Sequence, residues 1–312
     1  MIKLILPFAL SMITTIINQS LRTGIVPALW KNGLVSPIPK KKPISSLSYL
    51  RPISILPALS KVLEPVVFEQ TVAYGETCGI IPSHQSGFRK GHSTTTTLQC
   101  IKYDILAFID AGKASILVLL DFSKAFDLLS IPLLIAKLRF CRDINGTLKY
   151  SSDVMITRGV PQGLILGPLL FATYTADMMQ SIEHCSSHMY ADDTQLYLSF
   201  DVSKAHLPVD MVNDDLRRVC TWAQEHILLL NSQKTVALLM GTRQKISSVR
   251  DGGHVVKINK TTFPFVGAAR NLGITVDNRL RYEENVKKRS RWCYSRLCLL
   301  YNIRDYISEK NT

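Results

Sequence analysis

The strongest constraint on the fold is a run of five apolar residues, Ile116-Leu117-Val118-Leu119-Leu120, that ends on a charged one, Asp121. A run without alternation offers no polar face to water, so it predicts a central strand covered on both sides. Asp121 then stands at the exit of a buried strand, ahead of Phe122-Ser123-Lys124-Ala125-Phe126-Asp127. Its simplest role there is to cap the turn or helix that comes next. A second acidic feature gives it another. Tyr190-Ala191-Asp192-Asp193 separates His188-Met189 from a stretch in which Leu196, Leu198 and Phe200 alternate with Gln195, Tyr197 and Ser199. That period of two predicts a strand packed on one face, and an acidic pair between short strands predicts a hairpin with carboxylates at its tip. Plain turn chemistry also accounts for an Asp-Asp pair. Adjacent carboxylates with no Lys or Arg beside them repel each other, however, and a divalent cation relieves that repulsion. Mg²⁺ suits the position, since it takes a few carboxylates together with substrate phosphates. If the two strands are neighbours, Asp121, Asp192 and Asp193 can share one metal cluster.

At 312 residues the chain can bury a sizeable core, in one large or two modest domains. Lys and Arg exceed Asp and Glu by 37 to 24, a net charge of +13. With 46% hydrophobic residues this is a folded basic chain and not a disordered tail. This balance predicts a polyanionic partner, nucleic acid ahead of a membrane surface, although a merely basic surface gives the same excess. The basic residues crowd the end: from Arg243 onward there are fifteen Lys or Arg against six Asp or Glu. The seven cysteines show no CxxC pair and no zinc spacing, which predicts free thiols in a reducing compartment. Residues 2–17 are mostly apolar, but Ser11, Thr14 and Thr15 interrupt them and no small-residue cleavage site comes after. The stretch is short for a membrane span, so an amphipathic helix is expected, with no signal peptide and no membrane partner. The expected location is intracellular, nuclear or cytoplasmic.

Three motifs occur in order: Asp121 with Lys124-Ala125-Phe126-Asp127, then Arg158-Gly159-Val160-Pro161-Gln162-Gly163-Leu164 through Phe171, then Tyr190-Ala191-Asp192-Asp193. Together they resemble the reverse transcriptase of non-LTR (LINE-type) retrotransposons, over a stretch from about Gly24 to about Asp277. The resemblance implies an α+β right-hand polymerase: a fingers region with an N-terminal helix over 1–114, an antiparallel palm over 115–277, and over 278–312 the start of a basic thumb helix, truncated at Thr312. It implies an RNA-directed DNA polymerase that adds deoxynucleotides to a primer 3′-OH, with RNA template, DNA primer and deoxynucleoside triphosphates as partners. Two Mg²⁺ ions, replaceable by Mn²⁺, would be held by Asp121, Asp192, Asp193 and the backbone carbonyl of Phe122.

The same resemblance assigns roles along the chain. Val35 to Pro43 and Arg51-Pro52-Ile53-Ser54 become fingers stretches in which Lys40 and Arg51 lie over the triphosphate. Keeping a strand edge soluble is the other use of such residues. Gln85-Ser86-Gly87-Phe88-Arg89-Lys90-Gly91-His92-Ser93-Thr94 is a glycine-punctuated basic loop entering a helix, able to hold phosphates through backbone N–H groups and Arg89, or to serve as plain structure. The family places template and substrate contacts there, hence Arg89 and Lys90. Phe126 is set against the sugar to exclude a 2′-OH, with a core aromatic as the alternative. Gly159 to Gly163 forms a turn whose glycines admit a templating base, Gln162 contacts nucleic acid, and an apolar helix runs on to about Met179. Lys234 stands near the departing pyrophosphate, or is a solvated turn lysine. Tyr190 and Gly273, the latter within Leu272-Gly273-Ile274-Thr275-Val276-Asp277, support the nucleic acid.

Two features depart from the family pattern: a short polar bridge from Cys141 to Ile156, and Leu164 where a small residue is usual. They sustain a second expectation, a decayed or repurposed copy that binds nucleic acid without polymerising.

Overall fold

The computed structural model describes residues 2–40, 43, 46, 49–140, 158–258 and 261–304. The bridge 141–156 lies outside the described residues. The chain opens with helices α1 (Ile2–Thr23) and α2 (Ala28–Lys31) and a hairpin of β1 (Leu34–Pro39) and β2 (Leu50–Ile55). Helices α3 (Ser60–Thr77) and α4 (Thr94–Asp110) come next. Ile17 of α1 joins Trp30 and Leu63 in a small core of their own. Among the described residues, no helix is long and apolar enough to cross a membrane. Ser93 starts α4 with a reciprocal cap, its hydroxyl accepting from Thr96 N while the Thr96 hydroxyl accepts from Ser93 N.

The middle of the chain is a sheet with helices on it. It comprises β3 (Ala114–Leu120), β4 (Phe122–Ser123), α5 (Ala125–Leu128), α6 (Ile131–Phe140), α7 (Gly167–Tyr174), β5 (Ser186–Tyr190), β6 (Asp193–Phe200), α8 (His206–Glu225), β7 (Leu229–Leu230) and β8 (Val236–Met240). The last part holds α9 (Arg243–Asp251), the short strands β9 (Val256–Ile258), β10 (Thr261–Phe263) and β11 (Phe265–Val266), the hairpin β12 (Ala268–Asn271) with β13 (Ile274–Asp277), and α10 (Glu283–Ile303). Five strands form one sheet in the order β11-β8-β3-β6-β5, antiparallel except for β11 on β8.

The unbroken apolar run is the centre of that sheet. Every residue of β3 is buried, and the two faces feed different cores. Ile116, Val118 and Leu120 pack towards α7 and α8, while Leu117 and Leu119 pack towards α4 and the β12–β13 hairpin. Fully burying each such side chain contributes about 1.5–3 kcal/mol, so the strand anchors the residues at its exit.

Two local expectations are corrected. The strand β6 is covered on both faces: Leu196 and Phe200 pack in the core with α7 and α8, while Tyr197 packs with α4 and the β12–β13 hairpin. Its polar positions are buried as partners: Gln195 Nε2 donates to Asn271 Oδ1 at 3.1 Å, and the Tyr197 hydroxyl donates to Asp104. The helix after Gly163 is also shorter than its apolar composition predicts. It ends at Tyr174, whose carbonyl is taken by Lys137 Nζ at 2.6 Å, and resumes only as a 3₁₀ turn over Met178–Ser181.

Candidate active site

Strand register brings the acids together. Leu120 lies opposite Thr194 across β3 and β6, and Tyr190 pairs with Asp193 to close the β5–β6 hairpin. Asp121, one residue past β3, therefore lies beside Asp193 at the head of β6, with Asp192 in the turn. Their electrostatics record the proximity. Burial pushes Asp192 above the usual carboxylate range and Asp121 adds to it, while Lys234 and Arg51 pull the other way. Partial burial, followed by the charges of Asp192 and Asp121, pushes Asp193 up to about 6, against the pull of Lys234. Asp193 keeps an exposed face. The like-charge repulsion is the part of this that a bound cation would cancel.

Lys234 supplies the local positive charge, with Nζ 3.1 Å from Asp121 Oδ2 and 3.4 Å from Oδ1. Its side chain is 67% exposed, so the pair is held weakly. Asn231 N donates to the Asp121 carbonyl at 2.8 Å, which makes Phe122 and Leu230 a pair of the non-hydrogen-bonded kind. The Phe122 carbonyl stays outside that ladder. Among the described residues, no three acidic, His or Cys side chains converge on one point at ligand distance. The donor set is still the one that hard divalent cations take: carboxylate oxygens and a backbone carbonyl with excess negative charge. In chemistry, the residues fit such an ion.

A cleft of about 570 Å³ opens beside these groups, lined by Asp121, Asp193, Lys234, Asn271, Leu272 and Gly273 among others. Leu272 and Gly273 make the β12–β13 turn with positive φ. The Gln195–Asn271 bond ties that hairpin to the acid-bearing strand.

The other expected site residues are distributed around this centre. Arg51 is exposed on β2, opposite Ile38, and its charge reaches Asp192. Lys40 comes directly after β1 and its N–H donates to Tyr49 O at 2.7 Å. The Phe126 ring is half-buried, 4.8 Å from that of Phe171. Gln162 is engaged within the protein, its Nε2 donating to Asp127 Oδ1 at 3.0 Å and its carbonyl accepting from Ser54 N at 2.7 Å. Gly163, at φ +104°, does allow a close approach, but to protein: an added Cβ would lie 2.9 Å from Ser54 O. Arg89 is likewise turned inward, pairing with Glu76 at 3.4 Å and donating to the carbonyls of Pro82 and Gln85. Lys90 is exposed beside it, and Tyr190 is half-buried on β5. The cysteines Cys78, Cys100, Cys185, Cys220, Cys293 and Cys298 are free thiols.

Sequence reasoning missed one residue close to the acids, Gln85. The residue is 1% exposed and its amide bonds to the turn that carries Asp192. A Gln within Gln85-Ser86-Gly87 looks like any polar loop residue, so no sequence signal pointed to it.

Comparison with known proteins places this geometry in context. Residues 38–275 match the family model described as "Reverse transcriptase (RNA-dependent DNA polymerase)". The chain is similar to a probable RNA-directed DNA polymerase from transposon BS of Drosophila melanogaster, 30% identical over 83% of this chain and 30% of that protein. It is also similar to the RNA-directed DNA polymerase from mobile element jockey of the same organism, 26% identical over 98% of this chain and 36% of that protein. The chain thus spans about a third of the length of these curated relatives. Among solved structures, apo telomerase from Candida tropicalis shares the fold, with a TM-score of 0.50 at 12% identity over 86% of this chain and 52% of that one.

Proposed function

The chain belongs to the reverse transcriptase (RNA-dependent DNA polymerase) family, and from that premise we propose that it is the polymerase portion of a non-LTR retroelement protein. Its reaction is the addition of a deoxynucleotide to a primer 3′-OH on an RNA template. The observation that carries this reading is the β3–β6 register, which sets Asp121 beside Asp193 with Asp192 at the hairpin turn. In this reading 1–114 are fingers, 115–277 palm and 278–312 the start of the thumb.

Asp121, Asp192, Asp193 and the Phe122 carbonyl would hold two Mg²⁺ ions, with Mn²⁺ as a substitute. Such ions, when bound, activate the 3′-OH and neutralise the triphosphate and its leaving oxygen. The chain's own residues do the rest. Lys234, held only by an exposed ion pair, swings from Asp121 to the departing pyrophosphate. Arg51 and Lys40 grip the triphosphate from the fingers hairpin. Phe126 bars a 2′-OH, on a ring steadied by Phe171. Gln162 and Gly163 join palm to fingers beneath the nucleotide, because both touch Ser54. Gly273 and Tyr190 support the primer end, and Arg89 and Lys90 border the template path. Contacts of this kind go mainly to backbone, so binding depends on salt more than on sequence.

A second reading, nucleic-acid binding without polymerisation, is favoured by one observation: Lys234 forms an ion pair with Asp121, one of the carboxylates the metal reading needs. Mg²⁺-dependent extension of a DNA primer on an RNA template separates the two. Wild-type protein is expected to extend, and Asp192→Ala to lose at least about 1,000-fold in rate, since catalysis here is mostly positioning and charge neutralisation. Extension by Asp192→Ala in a clean preparation would refute the assignment.

A further inference from the structure

The turn that carries Asp192 is built against its own preference. Ala191 has φ +58°, at the first central position of a two-residue hairpin turn where glycine is usual. For a residue with a Cβ the left-handed conformation costs about 1–2 kcal/mol. Closing the hairpin imposes that conformation, and a contact from outside the hairpin offsets part of its cost.

That support comes from 84–87, more than a hundred residues upstream. Met189 N donates to His84 O and Ser86 N donates to Met189 O, both at 2.8 Å, so this segment runs parallel along the outer edge of β5. It brings the buried Gln85 side chain up to the turn. Gln85 Oε1 accepts from Ala191 N at 3.1 Å and from Gly87 N at 2.8 Å, and Nε2 lies 3.5 Å from the Ala191 carbonyl. One amide thus grips the strained residue on both sides. Gly87 completes the seat: a Cβ there would stand 2.4 Å from Ala191 N and 2.9 Å from Gln85 Oε1.

The geometry points to Gln85, seated by Gly87, as the positioning residue that fixes the Ala191 backbone and thereby holds Asp192 and Asp193 in place beside Asp121. The inference rests on the polymerase reading for its consequence but not for its geometry. Without the Gln85 acceptor, the strain at Ala191 is no longer offset, the peptide plane preceding Asp192 is freer to rotate, and the two carboxylates lose their fixed positions beside Asp121. A misplacement of about 1 Å costs on the order of 100-fold in rate. Gln85 touches no substrate, and its effect travels through the turn.

The test uses the full chain as wild type, Gln85→Met (similar in shape, without the amide), Ala191→Gly and the double variant. In wild type, hydrogen exchange at Ala191 N–H should be slow for a turn. In Gln85→Met it should quicken by at least tenfold, Mn²⁺ affinity measured by electron paramagnetic resonance should weaken about tenfold, and kcat for primer extension should fall about 10- to 100-fold. Template–primer Kd should stay within about twofold. Gly tolerates φ +58° without help, so adding Ala191→Gly to Gln85→Met should recover most of the Mn²⁺ affinity and of kcat. A merely structural role predicts no such recovery. Open-turn exchange at Ala191 in wild type, or unchanged Mn²⁺ affinity in Gln85→Met, overturns the proposal even if the polymerase is active. Should wild type fail to extend a primer while the exchange and Mn²⁺ differences hold, the polymerase reading falls and the role of Gln85 stands.

Discussion

Strand β3 and helix α10 are both rich in large apolar residues, and the structure treats them in opposite ways. All seven residues of β3 are buried, whereas α10 buries none and leaves Trp292, Tyr294, Leu297, Leu299, Leu300 and Tyr301 exposed. The ion pairs divide in the same way. Lys137 is only 16% exposed and serves Asp177, the Tyr174 carbonyl and two aromatic rings at once. Lys287 and Glu284 on α10 form a single 3.5 Å pair with both partners over 60% exposed. Burial in the fold, and not residue type, decides what each group contributes. The acids inherit their fixity from the first region: Asp121 leaves β3 directly, and Asp193 begins the strand beside it.

That contrast can be broken by matched substitutions. Leu117→Ala in β3 opens a cavity in a close-packed layer and should cost about 2–5 kcal/mol in denaturant unfolding. Leu299→Ala, the same deletion on α10, should stay within about 0.5 kcal/mol. Equal losses at the two positions would mean that α10 is covered in solution. Asp215 sharpens the comparison for polar groups. Wholly buried on α8, its carboxylate accepts from the N–H groups of Glu183, His184 and Cys185 at 2.7–3.0 Å, and so sets the entry to β5. Asp215→Ala strands those donors and should cost about 3 kcal/mol. Glu284→Ala should be silent by the same measurement.

Much of this was legible in the sequence where the signal was local. The Ile116–Leu120 run identified the central strand, the Tyr190–Asp193 stretch identified the hairpin, and the order of three motifs identified the family. The register between them was not written in either segment. It arises from burying both faces of β3, which is a property of the assembled sheet. Long-range pairings were invisible for the same reason. Gln195 and Tyr197 alternate like solvent-facing residues, yet Asn271 and Asp104 meet them from distant parts of the chain. Arg89 reads as a free cation until Glu76 and the Pro82 carbonyl are placed next to it. Gln85 is the extreme case, because its partner Ala191 is strained only once the hairpin has closed.

The smallest expected effect tests the partly buried ion network at the back of the sheet. Burial alone would raise the Asp177 pKa, but the hydrogen bonds and charges of His226 and Lys137 outweigh it and hold the carboxyl at about 2. A folded-state pKa below the unfolded value of 3.8 means that Asp177 contributes stability above about pH 4. That contribution fades as the pH falls towards 2. The side chain is 43% exposed, so solvent screening leaves about 1 kcal/mol. Asp177→Asn should therefore lower stability by about that amount at neutral pH and differ progressively less from wild type as the pH falls from 4 to 2. A constant gap between Asp177→Asn and wild type across that range would show that the loss is one of packing, and that the network at the back of the sheet is no better held than the pairs on α10.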